Sequence, residues 1–266
     1  MTVTADVRTS TTMPVSGELR ATIAELFPVR RDRWVVFSLV ALAAVVSLTE
    51  LAATQLFSSL ALPSADRSRT TTIVLVVLFL AVFGGLRVVN YAREMYRLNV
   101  FERALAGPAG VPNARESWRW SMAMEVTSLL SSASRAVVVV GACIALAPAF
   151  GIAVLVVCAV VGKVLSTAFV RQLRAQRGFR AAQLAREHVS NATKLRTRVR
   201  AGELGSLCGY VGIMLLVGLL LALTLHGSVA PGTAFVLFVA LRMLGQLLSE
   251  IAKMLMRFVR ARAFSE

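Results

Sequence analysis

The sequence predicts an all-α, polytopic membrane protein: six transmembrane helices, with two helical hairpins extended into the cytoplasm. Three observations predict it. Hydrophobic residues make up 57% of the 266, and mean hydropathy is +0.71, more than a soluble domain of this size holds. The apolar residues gather into six runs of about twenty residues or more, the length that crosses ~30 Å of hydrocarbon as a helix. The basic residues behind a formal net charge of +15 collect between those runs, almost all on one side.

Residues 1–17 are rich in Thr, Ser and Val, with one Pro and no apolar core, and read as a disordered tail. No apolar h-region follows the start, so a cleaved signal peptide is not expected. The remaining residues, 18–266, read as one six-helix domain preceded by a short surface helix. In that helix, from Ser16 to Phe27, a cap precedes Leu19, Ile23, Leu26 and Phe27 at helical spacing. This predicts an amphipathic helix on the inner membrane surface, ended by Pro28. Arg30, Arg31 and Arg33 follow, with Trp34 at the interface, where indole is favoured.

The expected spans cover 34–60, 71–91, 121–147, 151–170, 204–225 and 233–256. Span 2 keeps its helical pattern through YAREMYRLNVFERALA until Gly107, Pro108, Gly110 and Pro112 break it. Asn113 is a cap for the helix that leads into span 3, which ends near Pro148. Span 4 starts at Gly151 after a tight turn and passes without Pro into a strongly basic stretch. HGSVAPG turns span 5 into span 6. The connections between spans 2 and 3 and between spans 4 and 5 are long, basic and helical in pattern. They read as hairpins with turns near Gly107–Pro112 and Ser190–Leu195.

An even number of spans puts both termini on one side. Twenty-three Lys and Arg residues fall on the face that holds the termini and hairpins, against Arg67 and Arg69 on the other. The positive-inside rule therefore predicts cytoplasmic termini in a cell inner (plasma) membrane. The same distribution argues against nucleic acid as a partner, because the basic residues are spread between apolar runs with no stacking aromatics among them. Membrane lipids are the expected contact of the basic stripe Arg171, Arg174, Arg177 and Arg180. Cys143, Cys158 and Cys208 lie in or beside apolar runs with no CxxC pair, so they read as small fillers, not as a disulfide or metal site. No HExxH spacing or nucleophile–base set points to a metal or to catalysis.

Charges inside apolar runs cost ~2.5–3.5 kcal/mol each and mark either a pathway or a pair. Here they are Glu50, Arg135, Lys163, Arg242 and Glu250, with Gln246 one turn beyond Arg242. One reading makes Glu50, Arg135, Lys163, Arg242 and Gln246 the lining of a substrate pathway. Because Arg135, Lys163 and Arg242 outnumber Glu50, that pathway would favour an anionic or zwitterionic cargo. The other reading pairs Glu50 with one of the cations. Glu250 and Lys253 are spaced to pair with each other. The small hydroxyls of SLLSSAS before Arg135 suit either a wet cavity or close helix approach, and Gly205 and Gly209 form a small-xxx-small pair.

HGSVAPGTAFVLFVALRMLGQLLSEIAKMLMRFVRARAFSE, GELRATIAELFPVRRDRWVVFSLVALAA and MYRLNVFERALAGP carry a resemblance. They look like the turn into span 6, the elbow helix with span 1, and the lower span 2 of the membrane domain of a type I ATP-binding-cassette exporter. Gly227, Gly232, Arg260 and Ala261 occupy matching places. The likeness extends over nearly the whole chain, with two departures. No G-x-x-x-x-G-K-[ST] phosphate loop is present, since Gly162–Lys163 is followed by Val inside span 4. The hairpin of spans 4 and 5 also looks short.

The resemblance implies a permease subunit that exports a peptide, lipid or other amphiphile. It implies a separately encoded ATPase holding ATP and Mg, no cofactor or enzymatic activity in this chain, and a homodimer or a heterodimer with a similar six-span chain. It places coupling to the ATPase at Pro108, Asn113, Asn191 and Lys194. Two other functions stay open: a proton-driven peptide transporter of the same fold with Glu50 as proton carrier, and a non-transporting membrane scaffold.

Overall fold

A computed structural model of the chain describes the backbone of residues 15–61, 68–105, 113–184 and 191–265, and side chains within 17–61, 68–103, 119–176, 178, 203 and 205–259. Its described residues form seven helices: α1 (Val15–Leu26), α2 (Arg30–Ala61), α3 (Arg69–Leu105), α4 (Asn113–Leu146), α5 (Pro148–Leu184), α6 (Asn191–Leu225) and α7 (Pro231–Ser265). Six of them, α2 to α7, are long and apolar enough to cross a membrane. The protein is an all-helical, multi-pass membrane protein.

Prolines set several of the boundaries. Pro28 follows α1, and Arg33 folds back to hold that end, donating from Nε to the Phe27 carbonyl at 2.7 Å and from Nη2 to the Pro28 carbonyl at 3.2 Å. These bonds satisfy carbonyls that a helix end leaves free. Pro148 and Pro231 each open a helix, where a missing N–H is no loss. Span 4 thus begins three residues before the expected Gly151, and Ala147 is the only non-helical residue between α4 and α5. Gly151 permits the tight hairpin: a Cβ there would lie 2.4 Å from the Ile144 Cα. At the end of α6, Gly227 has φ +73°. The Ser228 amide donates to Leu223 and the Gly227 amide to Thr224, a Schellman stop.

Two helix starts differ from expectation. Helix α1 starts at Val15, one residue before the expected Ser16 and inside the stretch 1–17 that was read as a tail. Its apolar face is also filled by protein: Leu26 and Phe27 are buried, and Phe27 sits 5.8 Å from the Phe101 ring, which meets Trp120 at 6.4 Å. Helix α6 begins at Asn191, so residues 191–195 are helical, where the expected turn of the second hairpin lay. The span Gly107–Pro112, with Pro108, falls outside the described residues.

Helix α7 is the centre of the bundle. It packs against α2, α4, α5 and α6, and it buries Leu237, Leu241, Leu244 and Phe258. Phe258 stacks on Phe169 of α5 at 6.2 Å. Helix α6 wedges between α5 and α7 because its glycines leave room: a Cβ on Gly205 or Gly212 would press on Leu165 or Val157, and one on Gly209 would touch Leu248. Helix α3 is the opposite case. It leans chiefly on α2, its most apolar stretch is almost wholly exposed, and Leu86 and Phe101 are its only buried apolar residues among those described.

Candidate functional site

Because α3 stands off from α7, a cavity of about 550 Å³ opens between α2, α3, α4 and α7. Each wall is a helical stripe at spacings of three and four. From α2 come Glu50, Ala53, Thr54 and Phe57, and from α3 come Phe79, Phe83, Leu86, Arg87 and Asn90. From α7 come Phe235, Val239, Met243, Gln246, Leu247 and Glu250, and α4 adds Arg135.

The lining is graded. Toward the α6–α7 turn it is aromatic, with Phe57 at 5.8 Å from Phe79 and 6.3 Å from Phe235, and Phe79 stacked on Phe83 at 5.9 Å. Ser58 donates to the Gly232 carbonyl at 3.1 Å and ties α2 to α7 at this end. Toward the hairpin end the lining is ionic. Arg135 Nη2 pairs with Glu50 Oε2 at 3.2 Å, and its Nε donates to the buried Ser47 hydroxyl at 2.7 Å. The two side chains keep 26% and 32% of their surface, so the pair forms part of the cavity wall and is not sealed in the core. Ser132 donates to Glu250 Oε2 at 3.5 Å, in place of the expected Glu250–Lys253 pair. Neighbouring Ser134 donates to the Val40 carbonyl at 3.1 Å, so the SLLSSAS hydroxyls serve both helix contact and polar lining.

Of the five residues expected along a pathway, the fold brings together Glu50, Arg135 and Gln246. Lys163 on α5 and Arg242 on α7 are exposed and stand outside the cavity. The cavity therefore holds two acids, Glu50 and Glu250, and two bases, Arg87 and Arg135. Of the expected anionic or zwitterionic preference, this balance leaves the zwitterionic one. Arg87 and Asn90 were missed, although Arg87 interrupts the apolar run LAVFGGLRVV as plainly as Arg135 does its own. The four phenylalanines carried no signal, because aromatic residues in a span read as lipid-facing until neighbours are known.

Asn113 and Asn191 are the first residues of α4 and α6, and Lys194 lies in the first turn of α6; none of the three side chains is described. Arg171 and Arg174 of the basic stripe are exposed. Cys143 is buried, Cys158 and Cys208 half-buried. No model of a protein family matches the chain. No curated protein matches it either.

Proposed function

We propose that the protein is the membrane-spanning subunit of an exporter for amphiphilic cargo, driven by an ATPase on a separate polypeptide. The observation that carries this reading is the graded cavity. Phe57, Phe79, Phe83 and Phe235 offer an apolar floor, and Glu50, Arg87, Arg135 and Glu250 offer charges of both signs at the other end. A molecule with an apolar body and a zwitterionic or polar head matches both ends. A scaffold gains nothing from such a space. The termini and hairpins would face the cytoplasm, as the Lys and Arg distribution favours. A second six-span chain belongs to the proposal. Lys163 and Arg242 are exposed in the middle of their spans, and a charge there costs ~2.5–3.5 kcal/mol unless something covers it.

The ion pair in the cavity wall supports a second reading, a proton-driven transporter. Protonating Glu50 would release Arg135 and change the charge of the wall. One experiment separates the two. The chain is co-purified with its neighbours and placed in vesicles with a fluorescent zwitterionic lipid and a fluorescent peptide. The export reading expects a phosphate-loop ATPase in the complex and transport that stops without ATP. Transport by the isolated chain that follows a pH gradient, and is lost in Glu50→Gln, would replace it with the proton-driven reading.

A further inference from the structure

Below the first cavity, toward the hairpin end, lies a second one of about 220 Å³, also between α2, α3, α4 and α7. Arg135 lines both. The lower chamber is walled by Arg93, Glu94 and Arg97 of α3 and by Thr127, Ser128, Ser131 and Ser132 of α4. Glu94 is shared: Oε1 lies 3.1 Å from Arg93 Nη2, and Oε2 lies 2.7 Å from Arg97 Nη2. Arg97 Nη1 also reaches the Ser128 hydroxyl at a long 3.4 Å. One carboxylate thus faces two guanidinium groups, and Arg135 is already matched by Glu50.

The donors are not used up. Arg93 Nη1, Arg97 Nε and Thr127 Oγ1 are buried with no hydrogen-bond partner. The two arginine side chains keep only 16% and 17% of their surface, and Thr127 is fully buried. Leaving such groups unmade is expensive, so a cluster of this kind is built for an acceptor. Guanidinium forks beside hydroxyls match an oxyanion with several acceptor oxygens. The space is the volume of about seven waters, enough for a phosphate with its linking atoms and too small for a whole amphiphile. Arg93 and Arg97 stand just past the apolar part of α3, and a bilayer centred on that part, ~30 Å thick, would put them level with lipid headgroups. Helix α3 leaves this chamber open at the side, since it packs on α2 and has little contact with α4.

We propose that the Arg93–Arg97 chamber is a phosphate-binding site. The guanidinium groups of Arg93 and Arg97 and the hydroxyl of Thr127, residues of the chamber wall with donors left over, would hold it, and its ligand is either the phosphate of an anionic phospholipid headgroup or free phosphate. Binding here requires no transport, so this assignment stands or falls apart from the exporter reading.

The full chain is exchanged into detergent, and binding of phosphatidylglycerol, diacylglycerol and inorganic phosphate is titrated by native mass spectrometry. Phosphatidylglycerol is expected to bind at least tenfold more tightly than diacylglycerol, which has the same tails and no phosphate. That preference is expected to be lost in Arg93→Gln/Arg97→Gln. If circular dichroism shows that this variant is misfolded, Arg93→Lys/Arg97→Lys and Thr127→Val carry the test, with weaker but measurable loss expected because charge or shape is kept without the donors. Displacement of the lipid by millimolar inorganic phosphate, or binding of phosphate alone, assigns the site to free phosphate; retention against it assigns the site to the headgroup. Equal binding of the two lipids without phosphate binding, or full binding in folded variants, overturns the proposal.

Discussion

At the scale of single residues, the Glu50–Arg135 pair sets the character of the upper cavity. A pair taken out of water gains little over an apolar replacement, but removing one partner leaves a stranded charge. Arg135→Leu is therefore expected to lower the melting temperature more than Glu50→Gln/Arg135→Leu does. The coupling read from the double-mutant cycle is expected to be about 0.5–3 kcal/mol, toward the lower part of that range because both side chains keep some exposure. Additive effects would mean that the two groups do not interact in the membrane. The two partners were each visible in the sequence as charges in apolar runs, and the pairing was one of two readings. Which cation Glu50 meets depends on which helices adjoin, and no spacing along the chain carries that. The lower chamber shows the same limit. Arg93 and Arg97 were counted among the basic residues of the first hairpin, and only the fold sets them in one chamber wall with Thr127 and Ser128.

At the scale of elements, the helix ends were the most legible part. Pro28, Pro148, Gly227 and Pro231 punctuate the chain through backbone chemistry that needs no partner. The α4–α5 turn is the tightest of these joints. Gly151→Ala would drive a methyl group into the Ile144 backbone, which cannot move as a flexible side chain can. A loss of about 1–3 kcal/mol is expected, the usual range for overpacking, read as a lower unfolding midpoint. Gly218→Ala on α6, where nothing lies near the added Cβ, is the matched control and is expected to be neutral or mildly stabilising. Equal loss in both would show that the α4–α5 hairpin is looser than described. The start of α6 was harder to place, because the polar sequence SNATKLRTRV suits a turn and a solvated helix alike; here NATKL forms the first turns of the helix.

At the scale of the whole molecule, the six spans and their order were legible, because hydrocarbon thickness and backbone hydrogen bonding leave a chain of this composition few alternatives. The packing partners of each span were not. One of two readings set Lys163 and Arg242 on a central pathway, and the fold puts them on the outside of the single chain. If a second chain covers them, the protein is expected to run as a two-chain particle in lipid nanodiscs by mass photometry. Lys163→Leu with Arg242→Leu is then expected to leave each chain folded while changing the proportion of pairs. A single-chain particle for the native protein would remove the dimer from the proposed function.

The six spans are not equally committed to one another. Taking α7 out would dismantle the packed interior, whereas α3 holds to its neighbours along little more than one side. A sideways swing of that one helix would enlarge both chambers at once and unlatch them toward the surrounding acyl chains, while the rest of the bundle keeps its shape. For the proposed exporter, such a swing would give cargo a lateral route from the membrane, with the seam between α2 and α3 as its hinge side.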